Sequence, residues 1–146
     1  MNLIICLDEK NKYSFFNKRQ SSDEEVLKAI KNIVQNSTLY ITEYTHKLFK
    51  QYDFLNDMNI EIYSSDNLPS GCDHFCFIET GNIFDKNPDE IFIFNWNRHY
   101  PSNQEFDISL ENYNLISSET IVGKSHPEII ALHYIRKVPE LIYEEK

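Results

Sequence analysis

Glycine is scarce in this chain of 146 residues, which contains only Gly71, Gly81 and Gly123. Neither the glycine fingerprint of dinucleotide-binding folds nor a phosphate-cradling P-loop can be written with three isolated glycines. The G-x-S-x-G elbow of many serine hydrolases is absent as well. A Ser-His-acid triad stays compatible with the composition, but no pattern singles out one serine.

Cysteine and long apolar runs are also scarce. Three cysteines cannot all pair within one chain, so a disulfide framework is not expected. No apolar run reaches the roughly 18 residues that are needed to cross a bilayer. The apolar run at residues 3–7 is too short for a signal peptide and has no basic segment before it. We therefore expect a reduced, cytoplasmic protein.

Positive charge is outnumbered by negative charge. The chain has 14 Lys and Arg against 23 Asp and Glu, which gives a net charge of −9. Such a protein repels phosphate backbones and anionic lipid headgroups unless a basic patch overrides the field. Because no long run of Lys or Arg supplies that patch, neither nucleic acid nor a membrane is expected as a partner.

The chain does contain enough apolar surface for one core. Hydrophobic residues make up 41% of it, and ten Phe and nine Tyr are among them. A chain of this size can bury a stable core without metals or disulfides. We predict a single α/β domain over residues 1–146.

Apolar runs that alternate with helical patterns predict a mixed sheet. A helix begins in the cap residues and acids at 21–25 and carries an apolar stripe to residue 34, and a second helix covers residues 42–52. Strands that are separated by helices pair in parallel. Three further strands joined by loops favour antiparallel pairing at one edge. The first five strands are predicted at residues 3–7, 39–41, 60–63, 75–78 and 91–96, and the last three at 106–110, 113–122 and 131–138.

A polar and aromatic cluster follows the fifth predicted strand and contains the only tryptophan. Trp96 and Tyr100 can stack on a planar ring, Asn97 can donate and accept hydrogen bonds, Arg98 can bind an anion, and His99 can take up or release a proton. These groups suit a heteroaromatic ligand. The alternative is structural: Trp96 fills the core, and Arg98 pairs with an acid in the next segment, at position 105 or 107.

Two other segments are expected at the same edge of the sheet. The loop after the first strand carries Arg19, which can clamp a carboxylate or phosphate or pair weakly with the acids that follow it. Glu43 and Tyr44 begin the second helix. Together with the cluster after the fifth strand they form the predicted ligand-binding set of Arg19, Asp23, Glu43, Tyr44, Trp96, Asn97, Arg98, His99 and Tyr100.

A metal site and a local turn complete the candidates. Residues two apart on a strand face the same side, so Cys72, His74 and Cys76 could present two thiolates and an imidazole together. A zinc site needs a fourth ligand, and a small buried Cys76 in a core strand explains the same pattern. We predict no metal and no cofactor. Residues 125–128 are predicted as a helix-starting turn in which His126 makes local hydrogen bonds.

Four segments, at residues 16–21, 42–49, 95–101 and 125–126, resemble a family of small uncharacterised proteins from low-GC Gram-positive bacteria. Some members are labelled ribonuclease Z. That label implies a zinc-hydrolase motif of closely spaced His and Asp, which the five histidines here do not form. The resemblance therefore implies no zinc hydrolase.

The order of elements resembles dihydrofolate reductase: a first strand that opens Leu3-Ile4-Ile5, a loop, an acid-led helix and antiparallel strands at the end. This resemblance implies that Asp23 or Glu24 approximates the helix carboxylate of that family. The paired glycines of its nucleotide-facing strand are replaced here by a segment that begins at Glu79, so NADPH binding is not implied.

The leading hypothesis is a non-catalytic binding or regulatory module with a degenerate dihydrofolate-reductase-like fold. It would bind a small heterocyclic or nucleotide-like ligand, or a protein partner in a regulatory or mobile-element role. The alternatives are a divergent NADPH-dependent pteridine-type reductase with Asp23 or Glu24 as proton relay, and a small hydrolase with His99 or His126 as general base. No catalytic residue is assigned.

Overall fold

The computed structural model describes residues 1–69 and 74–138, and these contain ten strands and two α-helices. The helices are α1 (Glu24–Val34) and α2 (Glu43–Phe49), and two short 3₁₀ turns lie at Asp53–Leu55 and Leu110–Asn112. The strands are β1 (Asn2–Leu7), β2 (Lys12–Phe15), β3 (Lys18–Arg19), β4 (Thr38–Ile41), β5 (Asn59–Ile62), β6 (Phe75–Ile78), β7 (Glu90–Asn95), β8 (Gln104–Glu105), β9 (Tyr113–Ile121) and β10 (Ile129–Arg136).

Seven strands form the main sheet in the order β5-β4-β6-β1-β7-β10-β9. The first five pair in parallel. β10 is antiparallel to β7, and β9 is antiparallel to β10. The prediction of a mixed, mostly parallel sheet with antiparallel C-terminal strands is confirmed.

Alternate residues of the central strands bury on opposite faces. Ile4 and Phe77 lie on the face that packs against both helices, through residues such as Ile30 of α1. Leu3 and Ile5 lie on the other face, which is covered by Tyr13 of β2 and by side chains from loops. Burial on both faces explains why these strands are almost continuously apolar.

The two helices begin where their cap residues predict. The carboxylate of Asp23 accepts a hydrogen bond from the backbone N–H of Glu25 at 2.9 Å and caps α1. Thr42 caps α2 through the backbone N–H of Thr45. That helix ends at Phe49, earlier than predicted, and buries Thr45, Leu48 and Phe49.

Residues 8–20 were predicted to be a polar loop, and that is wrong. β2 and β3 form a hairpin whose turn is Phe16 and Asn17, with φ of 51° and 59°. Two positive φ values are typical of a type I′ turn, which usually contains glycine. The hairpin was missed because Phe-Asn does not carry that signal.

Two other local predictions are wrong. Residues 106–110 form no strand. The backbone N–H of Phe106 donates a single hydrogen bond to the backbone oxygen of Asn11, and the side chain of Ile108 is buried although its backbone has no regular secondary structure. Residues 125–128 start no helix. They belong to the β9–β10 connection, whose backbone N–H groups are bound by Asp23 from outside the segment.

In the described ranges, no helix is long and apolar enough to cross a membrane. The predicted loop at 64–71 is described as far as residue 69, where it has one isolated bridge between Ser64 and Asn67. Cys72 and Asp73, which belong to the candidate metal cluster, lie outside the described residues.

Candidate functional site

The carboxyl ends of the parallel strands meet at one edge of the sheet, as parallel pairing requires. Asp8 follows β1, Thr42 follows β4, Glu79 follows β6 and Trp96 follows β7. In open α/β sheets this edge is the usual place for ligand binding. Two side-chain clusters and one cavity lie along it.

The first cluster is an ion pair between Arg19 and Glu79. Arg19 Nε donates to Glu79 Oε2 at 2.8 Å, and Arg19 Nη2 donates to Oε1 at 2.9 Å. The hydroxyl of Thr45 donates to the same Oε1 at 2.8 Å. The side chain of Glu79 is only 5% exposed, so the pair is a two-pronged contact in a largely dry site.

Tyr44 holds Arg19 from the other side. The guanidinium carbon lies 4.3 Å from the centre of the Tyr44 ring, and the backbone N–H of Arg19 donates to the Tyr44 hydroxyl at 3.0 Å. Cys6 lies in the same neighbourhood. Burial raises the pKa of the Cys6 thiol, the charge of Glu79 raises it further, and the charge of Arg19 opposes this. A raised pKa favours the neutral thiol.

The second cluster is centred on the buried carboxylate of Asp23. Besides Glu25, it accepts hydrogen bonds from the backbone N–H groups of Lys124, Ser125 and His126 at 3.1, 2.8 and 3.2 Å. Burial acts to raise the pKa of Asp23, but these donors and the His126 ring outweigh it and hold the pKa well below its usual range. Asp23 joins the start of α1 to the β9–β10 connection.

Gly123 is the residue that allows this approach. A Cβ at position 123 would lie 2.5 Å from Oδ2 of Asp23 and 2.6 Å from the backbone oxygen of His126. The N–H of Gly123 also donates to that oxygen at 2.9 Å. Glycine is therefore required by close packing at this position.

His126 is buried beside Asp23 and uses both ring nitrogens. Nδ1 lies 3.2 Å from Asp23 Oδ2, and Nε2 lies 3.0 Å from Ser21 Oγ and 2.8 Å from the Tyr100 hydroxyl. Trp96 stacks on the imidazole, with 4.5 Å between ring centres. Because Trp96 is only 2% exposed, its ring is not open to a ligand in this arrangement. The prediction that His126 makes only local hydrogen bonds missed Asp23, Ser21 and Tyr100.

The remaining predicted site residues are exposed. Arg98 and His99 are solvent-exposed, and Arg98 forms no ion pair within the described ranges. Of its two predicted partners, Asp107 pairs with Lys86 instead at 2.8 Å. Asn97 adopts φ of 58° and donates to Glu128 at 2.7 Å. Glu43 is also exposed. These residues do not join either cluster through their side chains.

Asp8 ties the loops of this edge together. It is fully buried and accepts from the backbone N–H groups of Lys10 and Lys12 at 2.8 and 3.0 Å. It also accepts from the side chain of Gln20 at 3.1 Å and from the backbone of Tyr100 at 3.4 Å. Sequence reasoning placed no site role on Asp8, although an acid directly after a buried strand is the available signal.

A cavity of about 360 Å³ opens at the ends of β4, β5 and β6. Tyr63 and Phe84 supply aromatic surface and lie edge to face, with 5.5 Å between ring centres. Other lining residues supply hydroxyl and amide groups, namely Asn17, Thr42, Ser64, Ser65, Thr80 and Asn82. These groups can form hydrogen bonds with a polar heterocycle, and none of them carries a charge.

The described residues contain no group of three or more His, Cys, Asp or Glu placed to hold a metal ion, and Cys72 of the candidate cluster lies outside them. Cys76 is buried in β6, as the structural interpretation predicted. Burial raises the pKa of its thiol to about 12.

A solved structure of similar fold is dihydrofolate reductase from Enterococcus faecalis, complexed with NADP(H) and RAB-propyl, with a TM-score of 0.68. The match covers 94% of this chain and 96% of that chain at 14% sequence identity. No family model matches the sequence, and no curated protein matches it. The protein therefore has a dihydrofolate-reductase-like fold, a similarity that extends to architecture alone.

Proposed function

We propose that the protein is a non-catalytic binding or regulatory module that takes a small heterocyclic or nucleotide-like ligand at the carboxyl edge of its sheet. The observation that carries this proposal is the internal pairing of the charged groups at that edge. Arg19 and Glu79 occupy each other, and the carboxylate of Asp23 is held by backbone N–H groups. Few groups are left there to move protons.

The reductase alternative is weakened by the same contacts. A proton relay needs a pKa near the working pH. The pKa of Asp23 is lowered by its donors, so its carboxylate stays charged at neutral pH. Glu24 is paired with Lys124 and Lys28, which also lower its pKa. Neither acid is suited to deliver a proton to a pteridine ring.

The cavity supports the ligand class. The half-buried ring of Phe84 supplies apolar aromatic surface in its lining, and the hydroxyl and amide groups can bind ring nitrogens or ribose. The Enterococcus faecalis enzyme of similar fold was solved with NADP(H), which is a nucleotide ligand. Arg19 lies two residues from Asn17 of the cavity lining, and Arg98 and His99 are exposed further along the edge.

A protein partner is the alternative occupant. Phe15 and Phe16 are 40% and 68% exposed at the tip of the β2–β3 hairpin, with 4.4 Å between ring centres. Phe16 also adopts a positive φ, which is costly for a large side chain. Exposed aromatics on a constrained turn are typical of a contact surface. A regulatory or mobile-element role in the cytoplasm of a low-GC Gram-positive bacterium would accord with such a partner.

Thermal unfolding with a ligand panel tests the proposal. The panel contains NADPH, NADH, ATP, GTP and a reduced and an oxidised pteridine. A ligand at about 100 times its dissociation constant stabilises the protein by about 2.7 kcal/mol. For a chain of this size that corresponds to a rise in Tm of roughly 5–10 °C. No oxidation of NADPH is expected with any pteridine.

Variants locate the ligand. Ser65→Trp places a bulky ring at the exposed rim of the cavity and should abolish the rise in Tm without lowering the Tm of the free protein. Gln51→Trp adds the same ring at an exposed position outside the lining and should bind normally. Equal binding by both variants would place the ligand elsewhere, and steady NADPH oxidation would establish the reductase instead.

A second candidate function is a serine hydrolase built on Ser21, His126 and Asp23. Asp23 lies at Nδ1 of the imidazole, and Ser21 lies at Nε2. An ionised carboxylate only accepts hydrogen bonds, so a proton on Nδ1 would satisfy Asp23 and leave Nε2 as an acceptor that the hydroxyls of Ser21 and Tyr100 share. The hydroxyl of Ser125 also lies 2.9 Å from Nδ1. This is the arrangement of a nucleophile, a general base and an orienting acid.

Labelling with a fluorophosphonate separates this candidate from a purely structural network. A hydrolase should incorporate one probe at Ser21, and Ser21→Ala should abolish labelling. Ser22→Ala is the matched control at the adjacent serine. Absence of labelling at Ser21 in folded protein would remove the hydrolase, and we expect this outcome because Tyr100 occupies the same Nε2.

A further inference from the structure

Among residues 1–69 and 74–138, the strand β9 forms a long open edge of the main sheet. It is nine residues long, pairs with β10 on one side and stands last in the strand order. At about 3.3 Å per residue the edge extends for about 30 Å. Seven of its residues, 114–120, are exposed. One row of its backbone N–H and C=O groups therefore faces away from β10.

The edge lacks most of the features that prevent edge pairing. Exposed strands are usually protected by lysine, proline or short length. β9 contains neither lysine nor proline, and its single charged residue is Glu119. Leu115 and Ile116 are each 51% exposed. At the irregularity opposite His133 and Tyr134, Ile116 is an extra residue of β9 without a partner in β10, and the pairs from Ser117 to Ile121 are regular.

The opposite edge of the sheet is built differently. β5 has only four residues, and Glu61 lies exposed within them. The two edge strands therefore differ in length and in charge. This difference indicates that the long edge of β9 is a contact surface, because the other edge strand is short and carries an exposed acid. A groove of about 380 Å³ also adjoins β9, with Ile33, Phe92, Phe94 and Leu132 in its lining. A neighbouring chain at this edge would cover that apolar surface.

We propose that β9 is a dimer interface through which two copies of this chain pair edge to edge, antiparallel, about a two-fold axis. Ser117 and Ser118 lie at the centre of the strand, and their small side chains permit close approach. With the axis at Ser118, Glu119 lies opposite Ser117 of the second copy, and both residues belong to the regular part of β9. This register avoids placing the two glutamates against each other, although each protomer carries a net charge of −9.

Single-cysteine variants test the interface directly. Residues directly opposite in an antiparallel pair have Cβ atoms about 4.5–5.5 Å apart, close to the range that a disulfide bridges. Ser118→Cys should therefore form a disulfide-linked dimer on oxidation. The parent protein, with its three native cysteines, is the first control. Asn59→Cys, at an exposed position on β5, is the second.

Sedimentation velocity over a dilution series measures the equilibrium. The parent should dissociate from dimer to monomer, and Ser117→Glu with Ser118→Glu should weaken the dimer by at least about tenfold, because the new carboxylates then face each other and Glu119 across the axis. Asn59→Glu should leave it unchanged. A parent that stays monomeric at every concentration overturns the proposal. So does a dimer that survives both acidic substitutions, or one that is lost equally in Asn59→Glu.

Discussion

Replacement of Asp23 by alanine is expected to lower the free energy of unfolding by about 3–5 kcal/mol. The substitution removes the cap of α1 and leaves the backbone N–H groups of Lys124, Ser125 and His126 without their acceptor. A lost cap costs about 1 kcal/mol, and a buried donor left unpaired costs about 1–3 kcal/mol. Lys124 and Ser125 are exposed, so water can partly replace the carboxylate at their N–H groups, and the total stays at about 3–5 kcal/mol. Urea unfolding followed by circular dichroism measures the loss.

Glu24→Ala is the matched control for Asp23→Ala. It removes the same charge from the adjacent residue of the same helix end, but Glu24 pairs with the exposed side chains of Lys28 and Lys124. Exposed ion pairs of this kind contribute little, so the urea midpoint should hardly move. If both variants lose the same stability, the effect belongs to charge at the helix end and not to the buried network.

The contribution of Asp23 should also depend on pH. Its pKa is lowered in the folded state, so the folded protein binds the proton more weakly than the unfolded chain. Stability from this group is therefore complete above its unfolded pKa of about 3.9 and is lost as pH falls through the folded value. The difference in unfolding free energy between the parent and Asp23→Asn should be constant above about pH 5 and shrink below pH 4. A difference that grows in acid would contradict the assignment.

The sequence predicts the sheet well because strands that are buried on both faces are nearly continuous apolar runs. Residues 75–78 were predicted as a strand and form β6, and the other central strands are displaced by one or two residues at most. The cap residues also predict the starts of α1 and α2, because Asp23 and Thr42 accept hydrogen bonds from backbone N–H groups only two or three residues away. Where the physical cause is local, the prediction is confirmed.

Side-chain contacts between residues far apart in the chain have no comparable sequence pattern. Arg19 and Tyr44 were expected at one edge and are in contact there, but the acid that binds Arg19 is Glu79, 60 residues away. The nearby acids at 23–25 were the local alternative. His126 likewise meets Asp23 across 103 residues. From the sequence alone, a single acid after an apolar strand, such as Glu79, is assigned to a loop. Only the folded sheet shows that Arg19 lies beside it.

Replacement of Arg19 by alanine is expected to cost about 3–5 kcal/mol of unfolding free energy. Glu79, whose side chain is 5% exposed beside Arg19, would keep only the hydroxyl of Thr45 as a donor. Removing one member of a buried pair strands the other charge in a poorly solvating site, whereas replacing both with apolar residues of similar size is often neutral. Arg19→Met with Glu79→Leu should therefore recover most of the loss.

A double-mutant cycle separates this buried pair from an ordinary surface pair. Lys86 and Asp107 lie 2.8 Å apart, but more than half of each side chain is exposed, so their coupling should be about 0.2–1 kcal/mol. The coupling of Arg19 and Glu79 should be several times larger. Additive losses at the two positions would mean that Glu79 is satisfied without Arg19. In that case the guanidinium would be available to an anionic ligand, and the proposal of a self-paired, non-catalytic edge would have to be abandoned.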